Sequence, residues 1–400
     1  MDKFEGCLLK KRGENLAMKI AINALSAKTG GGVTYLNRLI YYLRGVDGQN
    51  EYYIFVTQNN HEKIIAFEDP RFRVIEVHIW SLLHRLLYEQ FALPILLKRL
   101  NIDVVYAPAE IAPLLAPCAV VLGIQNSNAY YKVPIKRSAA EKLKFWVLRQ
   151  LAKLSSRKAS RIIFVSNTAC RDIAAKLKAN PAKTRAIHHG VELDRFQRIE
   201  LAENSTFADR LIGSGKYILC LSALARHKNI EALIKAYAAL DGKFQAHYKL
   251  VIAGRKTPPY GDELTALMHQ LNLAKKVIFT GEIAHKNAPS LYQGASLFVL
   301  PSYLETFGIP LIEAMAAGVP VIAANASAIP EVVGDAGLLF DPNDSDELRV
   351  RMETVLSNPK LREELIQKGL ERAKTFSWEK CAKETLSVFK EASLSKRRSP

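Results

Sequence analysis

The sequence predicts an α/β protein made of two doubly wound domains facing a cleft, on three observations. From Met18 onward, short β-rich runs alternate with helical patterns. The alternation breaks once, in the polar stretch 192–215, and then restarts. The strands themselves are near-continuous apolar runs, the mark of a parallel sheet covered by helices on both faces.

The candidate strands of the first half are KIAIN, YYIFVT, RVIEV, DVVYA, AVVLGI, RIIFVS and RAIHHG. Those of the second half are YILCLS, YKLVIAG, KVIFTG, SLFVLPS, VPVIAA and GLLF. Helical segments intervene at 229–240, 261–272, 286–294 and 309–317, and 345–395 is helical and charged. The expected organisation is a flexible extension at 1–17, a first domain at 18–200 and a linker at 201–215. A second domain follows at 216–375, then a helix with a basic tail at 376–400 that returns to the first domain. Two such sheets imply an interdomain cleft, with ligands at the carboxyl ends of the strands.

Hydrophobic residues make up 49% of the chain and charged residues 24%, ordinary for a soluble globular protein. The five cysteines have no paired or metal-like spacing, which argues against a disulfide framework and a zinc site and fits a reducing cytoplasm. No apolar run reaches the length of a spanning helix, and the N-terminus lacks the order of a signal peptide. The net charge of +17 points to anionic partners: nucleic acid, phosphorylated ligands or a membrane.

Three segments could carry chemistry. After the first strand, Gly30, Gly31 and Gly32 form a turn, with a helix from about Val33. Glycines let backbone approach a ligand and a helix N-terminus attracts phosphate, but the spacing is that of neither a dinucleotide fingerprint nor a P-loop, and a plain strand–helix turn fits equally. After YILCLS come Arg226, His227 and Lys228, cations placed for a diphosphate or simply a solvated loop. After SLFVLPS comes YLETFGIPLIEAMAAG, with Glu305 in the loop and Glu313 about one turn into a helix that starts near Pro310 and stops at Gly318. Exposed amides of Phe307, Gly308 and Ile309 lie at the positive end of that helix. A polyhydroxylated, phosphorylated ligand would satisfy these groups; helix capping by the acids is the plainer alternative.

These motifs, with GGGVTYLNRL, RIIFVSNTACRDI and IHHGVELDRF, resemble the GT-B glycosyltransferases, and specifically glycosyltransferase family 4, retaining and nucleotide-sugar dependent. The resemblance covers nearly the whole chain from Met18 and implies two Rossmann-like domains in the GT-B arrangement. It implies that Glu305 positions the transferred sugar and Glu313 binds the nucleotide ribose. Lys228 and Arg226 would neutralise the donor diphosphate. Thr306, Phe307, Gly308 and Ile309 would meet the sugar or phosphate, and the loop of Gly30, Gly31 and Gly32 would close against the donor phosphate or the acceptor from the other domain. It implies no metal and no other cofactor, since basic residues and a helix dipole stabilise the leaving diphosphate. Two departures matter. Ala223 stands where many relatives carry an arginine. Gln125 and Asn126 stand where many carry a histidine; they can hydrogen-bond an acceptor sugar but cannot act as a base.

The charge is concentrated at 132–161, with ten Lys/Arg, one acid and interleaved Phe145, Trp146, Leu148 and Leu151. Such a basic amphipathic helix suits an anionic membrane, or is an ordinary helix with a basic outer face. The stretch 80–100 is also amphipathic but more apolar and reads as core. Nucleic acid is not expected, because no base-stacking module accompanies the charge. The expectation is therefore a cytoplasmic enzyme, peripheral at the inner membrane face. It would move a sugar from a nucleotide-diphosphate donor to a hydroxyl of a glycan or lipid-linked glycan in surface polysaccharide assembly. The alternatives are a nucleotide-sugar epimerase or hydrolase on the same fold, and a catalytically silent binding partner.

Overall fold

The computed structural model describes residues 17–27, 31–64, 68–135, 137–197, 201–213 and 215–397. Nearly all of the expected N-terminal extension, the last residues of the basic tail, and Gly30 lie outside them.

The first domain holds a seven-stranded parallel sheet in the order β3-β2-β1-β4-β5-β6-β7. Its strands are β1 (Lys19–Asn23), β2 (Glu51–Thr57), β3 (Phe72–Val77), β4 (Val104–Ala107), β5 (Ala119–Ile124), β6 (Arg161–Phe164) and β7 (Thr184–Ala186). The second holds a six-stranded parallel sheet in the order β10-β9-β8-β11-β12-β13. Its strands are β8 (Lys216–Leu221), β9 (Tyr248–Ala253), β10 (Val277–Gly281), β11 (Leu297–Leu300), β12 (Val321–Ala324) and β13 (Gly337–Phe340). Every strand run expected from the sequence overlaps one of these strands. Both faces of the first sheet are buried, as unbroken apolar strands require. In β2, Tyr52, Ile54 and Val56 enter one core while Tyr53 and Phe55 enter the other.

Both sheets reverse their strand order beside the first strand of the domain. The chain runs outward from β1 to β3 and then returns to place β4 on the other side of β1; β8 and β11 repeat the pattern. The loops after β1 and β4, and after β8 and β11, therefore diverge and open a crevice at the carboxyl edge of each sheet.

Helix α1 (Gly31–Val46) covers one face of the first sheet. On the opposite face lie α2 (Leu82–Leu87), a π-helical turn (Tyr88–Ala92), α3 (Leu93–Arg99), α4 (Ala139–Lys158) and α5 (Asn167–Leu177). Two departures from expectation concern helices. Segment 201–215, expected as a linker, contains α6 (Leu201–Ile212), whose Ala208 and Ile212 are buried in the second domain's core, so its polar look reflects a helix exposed on its other side. Segment 80–100, expected as core, divides: α3 buries Leu93, Pro94 and Leu97, whereas α2 buries no residue and Trp80 is 80% exposed.

The chain crosses between domains near Val191 and again near Phe376, where Val191 N donates to Phe376 O at 3.1 Å. At this crossing Gly190 has no room for a side chain: a Cβ would lie 2.0 Å from Trp378 N. The final helix, α7 (Trp378–Arg397), packs on α1 and the sheet of the first domain, burying Cys381, Ala382 and Phe389 there.

Candidate functional site

The best-furnished crevice belongs to the second domain. The loop after β8 ends in a single 3-10 turn (Arg226–Lys228), and the loop after β11 leads into α8 (Ile309–Ala316). Lys228 Nζ donates to Glu305 Oε1 at 2.7 Å, and Ser302 Oγ donates to the same oxygen at 2.8 Å. Glu305 N in turn donates to Ser327 Oγ at 2.8 Å. Two loops remote in sequence are thus fastened by a partly buried ion pair, which offsets the cost of desolvating each charge. The turn into α8 needs Gly308: its φ of 102° lies in the left-handed region, and a Cβ would meet Leu311 Cδ1 at 2.9 Å. Pro310 follows in the first turn, where its missing N–H costs nothing. The leading amides of α8, at the positive end of its dipole, adjoin this crevice.

Glu313 lies one turn along α8 and is a separate element. It is buried and accepts a 2.9 Å hydrogen bond from Tyr292 OH. Burial pushes its carboxyl up to about 7, against the Tyr292 bond and the charges of Arg195 and Arg38. Those two arginines are tied to one carboxylate: Arg38 Nη1 and Arg195 Nη1 lie 2.6 and 3.3 Å from Glu192. Glu313 can accept hydrogen bonds from ligand hydroxyls once ionised, and at neutral pH it is poised to ionise.

The structure does not bring Arg226 to Glu305. Its guanidinium turns outward, 2.6 Å from Glu263 and over the Tyr260 ring. His227 lies between Arg226 and Lys228, and burial, followed by the Lys228 charge, pushes its ring down to about 4, so it is neutral at pH 7. Lys228 is therefore the cation that this loop presents beside Glu305. Phe307 is buried in an aromatic cluster with His189 and Phe376, so its contribution to the crevice is its backbone.

The first domain's crevice is more dispersed. Helix α1 begins at Gly31, two residues earlier than expected, and a Cβ on Gly31 or Gly32 would meet nothing within 4 Å among the described residues. Space is therefore open at that helix start. Asn126 N donates to Glu110 Oε1 at 2.7 Å, while the Gln125 carboxamide nitrogen is buried with no partner among the described residues. Glu110, unremarked in the sequence, follows β4 with a φ of 60°, and desolvation pushes its carboxyl up to about 7, against the Asn126 amide. Glu89, in the π-helical turn, is turned inward and accepts a 3.1 Å bond from Asn23 Nδ2 at the end of β1. An acid just past a strand's carboxyl end was the available signal for Glu110; nothing local marked Glu89.

The cleft is bridged. Thr306 Oγ1 donates to Ser127 Oγ at 3.0 Å and Ser166 Oγ donates to Thr306 O at 2.9 Å. Below them the Glu331 carboxylate caps α5 of the other domain, accepting from Asn167 N, Thr168 N and His188 Nε2 at 2.8, 2.7 and 2.7 Å. Burial opposes this charge, but those hydrogen bonds outweigh it and hold the Glu331 carboxyl well below the usual carboxylate range. A cavity of about 870 Å³ lies at the chain crossing, lined by Tyr41, Glu192, Arg195, Lys286 and Trp378 among others, and contains none of the expected site residues. No helix among the described residues is long and apolar enough to cross a membrane.

Comparison with known proteins follows the division of the chain. Residues 29–195 match the model of Glycosyltransferase Family 4 and residues 203–372 that of Glycosyl transferases group 1. The O-antigen chain mannosyltransferase B of Escherichia coli is 37% identical over 174 residues, 44% of this chain and 45% of that protein. The N-acetylgalactosamine-N,N'-diacetylbacillosaminyl-diphospho-undecaprenol 4-alpha-N-acetylgalactosaminyltransferase of Campylobacter jejuni is 30% identical over 236 residues, 58% of this chain and 60% of that protein. The match thus spans about half the length of these relatives. Among solved structures, HepE of Anabaena in complex with UDP-glucose superposes with a TM-score of 0.75 at 20% identity, covering 92% of this chain and 99% of that one. That likeness concerns the fold.

Proposed function

We propose, from the premise that the chain belongs to the GT-B glycosyltransferases of family 4, that it transfers a hexose with retention from a nucleotide-diphosphate donor to a hydroxyl of a glycan or lipid-linked glycan. The observation that carries this reading is the pairing of Lys228 with Glu305 at the second domain's crevice, in the loop that leads into α8, with the buried Glu313 one turn along that helix. The donor diphosphate would lie against Lys228 and the leading amides of α8, where a cation and a helix N-terminus stabilise the charge that grows on the leaving group. The donor's ribose hydroxyls would donate to Glu313, and the transferred sugar would meet Glu305. The reading calls for no metal ion.

In the reaction the anomeric carbon–phosphate oxygen bond breaks and a bond to the acceptor oxygen forms on the same face. The acceptor proton passes to the departing phosphate oxygen, which lies on that face. No side-chain base is needed, consistent with Gln125 and Asn126 at the acceptor side. The E. coli relatives named as mannosyltransferases make mannose the first donor sugar to try. The lipid-diphosphate acceptor in the Campylobacter relative's name supports a membrane-borne acceptor. That acceptor would be met at a cytoplasmic membrane face through the basic segment 132–161, without nucleic acid.

The test is transfer from a panel of GDP-, UDP- and dTDP-hexoses to soluble and lipid-linked acceptors, with anomeric configuration read by NMR. Lys228→Ala and Glu313→Ala should each abolish most of the transfer. Full activity in both would sink the donor-site assignment, an inverted product would sink retention, and free sugar formed equally without acceptor would mark a hydrolase.

A further inference from the structure

The outer face of the first domain carries more exposed apolar surface than a solvated face needs. Trp80, Leu83, Phe91 and Ile95 project from 80–95, with Leu83 67% and Phe91 59% exposed. In the π-helical turn Glu89 points inward to Asn23, while Phe91, two residues on and so on the opposite side, is exposed. Beside it, α4 buries only Ala152, Ser155 and Ser156 and leaves Trp146 53% exposed.

The two elements belong to one surface. Both α3 and α4 seat their buried residues in the same core, on the same face of the sheet. The loop between β4 and β5 is hydrogen-bonded to both. Gln90 Nε2 donates to Ala112 O and Leu114 N donates to Gln90 Oε1, at 3.1 and 2.9 Å, while Ala112 N donates to Ser155 Oγ at 3.0 Å. That loop presents Leu115, itself exposed, between them. The charges around this surface have one sign: Lys142, Lys144 and Arg149 are exposed on α4, and Lys98 and Arg99 close α3. Within 132–161 the acid is Glu141, committed to capping α4 through Ser138.

We infer that this face docks on an anionic lipid bilayer by two means: the cations of α4 draw it to the headgroups, and the segment 80–95 with Leu115 inserts its apolar side chains below them. An apolar face rimmed by cations is complementary to such a surface and to little else in water. The inference rests on the reading of a membrane-borne acceptor and adds the inserting element. Both α2 and α4 follow the carboxyl ends of their strands, so docking brings the rim of the acceptor crevice to the lipid, and Glu89 links the inserted segment directly to its floor.

The experiment uses the full chain and vesicles that contain no acceptor. The probes are phosphatidylcholine alone and phosphatidylcholine with one-third phosphatidylglycerol. Of the three tryptophans, Trp378 is buried at the crossing, so lipid-induced changes in emission report Trp80 and Trp146. Anionic vesicles should shift emission to the blue, and lipids brominated on the acyl chain should quench it; Trp80→Phe should remove much of that quenching. The triple variant Leu83→Ser, Phe91→Ser, Leu115→Ser should lower co-sedimentation at high salt at least about tenfold. Lys142→Glu with Lys144→Glu should lower it chiefly at low salt. Circular dichroism checks that each variant is folded, and Trp80→Phe keeps the test open if the triple variant is not. Unchanged co-sedimentation of a folded triple variant, or no quenching of Trp80, overturns the inference. So does a dimer in sedimentation velocity that the same substitutions dissolve, since the face would then belong to a second copy. Transfer to a soluble acceptor, measured separately, tells a failure of docking from a failure of the enzymatic reading.

Discussion

The two domains build their crevices on the same strand reversal but furnish them in opposite ways. In the second domain the polar groups come from one loop and the helix after it, 302–313, plus Lys228 from the adjoining loop. In the first, Asn23, Glu89, Glu110 and Asn126 come from four separate segments, the end of β1 and three connections. A nucleotide diphosphate is a conserved chemical object with fixed charge, which one helix start and one cation can meet. An acceptor sugar is read by scattered hydrogen bonds, and the chain can place those on any loop that reaches the carboxyl edge of the sheet.

The comparison predicts unequal losses. On the proposed reading Lys228→Ala removes the cation that meets the leaving diphosphate, and it should lower kcat by about 10²–10³-fold. Glu110→Gln keeps the shape of the acceptor side and should lower kcat/KM by only about tenfold, with donor affinity unchanged. Donor titration by calorimetry separates the two, and comparable loss of donor affinity in Glu110→Gln would erase the division of labour.

The buried carboxyls sharpen it through pH. Because burial raises the Glu313 carboxyl to about 7, the donor-free folded protein holds that proton where the unfolded chain has released it. Stability should therefore fall as pH rises from about 4.5 to 7, and Glu313→Gln should flatten part of that slope in thermal melts. Donor affinity should do the reverse, improving as pH rises through about 7 and the carboxylate forms. Glu110→Gln should flatten the melting slope in the same sense but leave the donor's pH profile intact.

Glu331→Gln tests the clasp between the domains. It should cost about 1–3 kcal/mol by chemical denaturation near neutral pH, as charge-assisted bonds to α5 and His188 weaken. This stability is present above the usual carboxylate range and lost as pH falls below it, so wild type and variant should converge in acid. The smallest effect is expected from Arg226→Ala. With its guanidinium engaged by Glu263, its loss should change kcat/KM less than about threefold, within the range of an exposed ion pair. A hundredfold loss would show that Arg226 swings inward with donor bound.

What was legible follows the same divide. The strands were readable because doubly covered strands are apolar throughout. The groups around Glu305 were readable as neighbours because their loop and helix are contiguous. Arg226 was placed at the site because its diverting partner lies 37 residues further on. Glu89 and Asn23 stand 66 residues apart and carry no mutual mark. The helix at 201–212 hid behind polar residues, and the exposed first part of 80–100 was assigned to the core with the rest because periodicity does not say whether an apolar stripe is covered.

The returning helix α7 has a consequence for how the molecule is made. Phe389 and its neighbours complete one face of the first sheet, yet they are synthesised only after the whole second domain. The first domain, begun at Met18, therefore waits with α1 half uncovered until the second domain has emerged, reversing the usual order in which domains mature on the ribosome. A chain stopped near residue 375 would lose far more than a tail: it would release an intact second domain tied to a first domain with one wall missing.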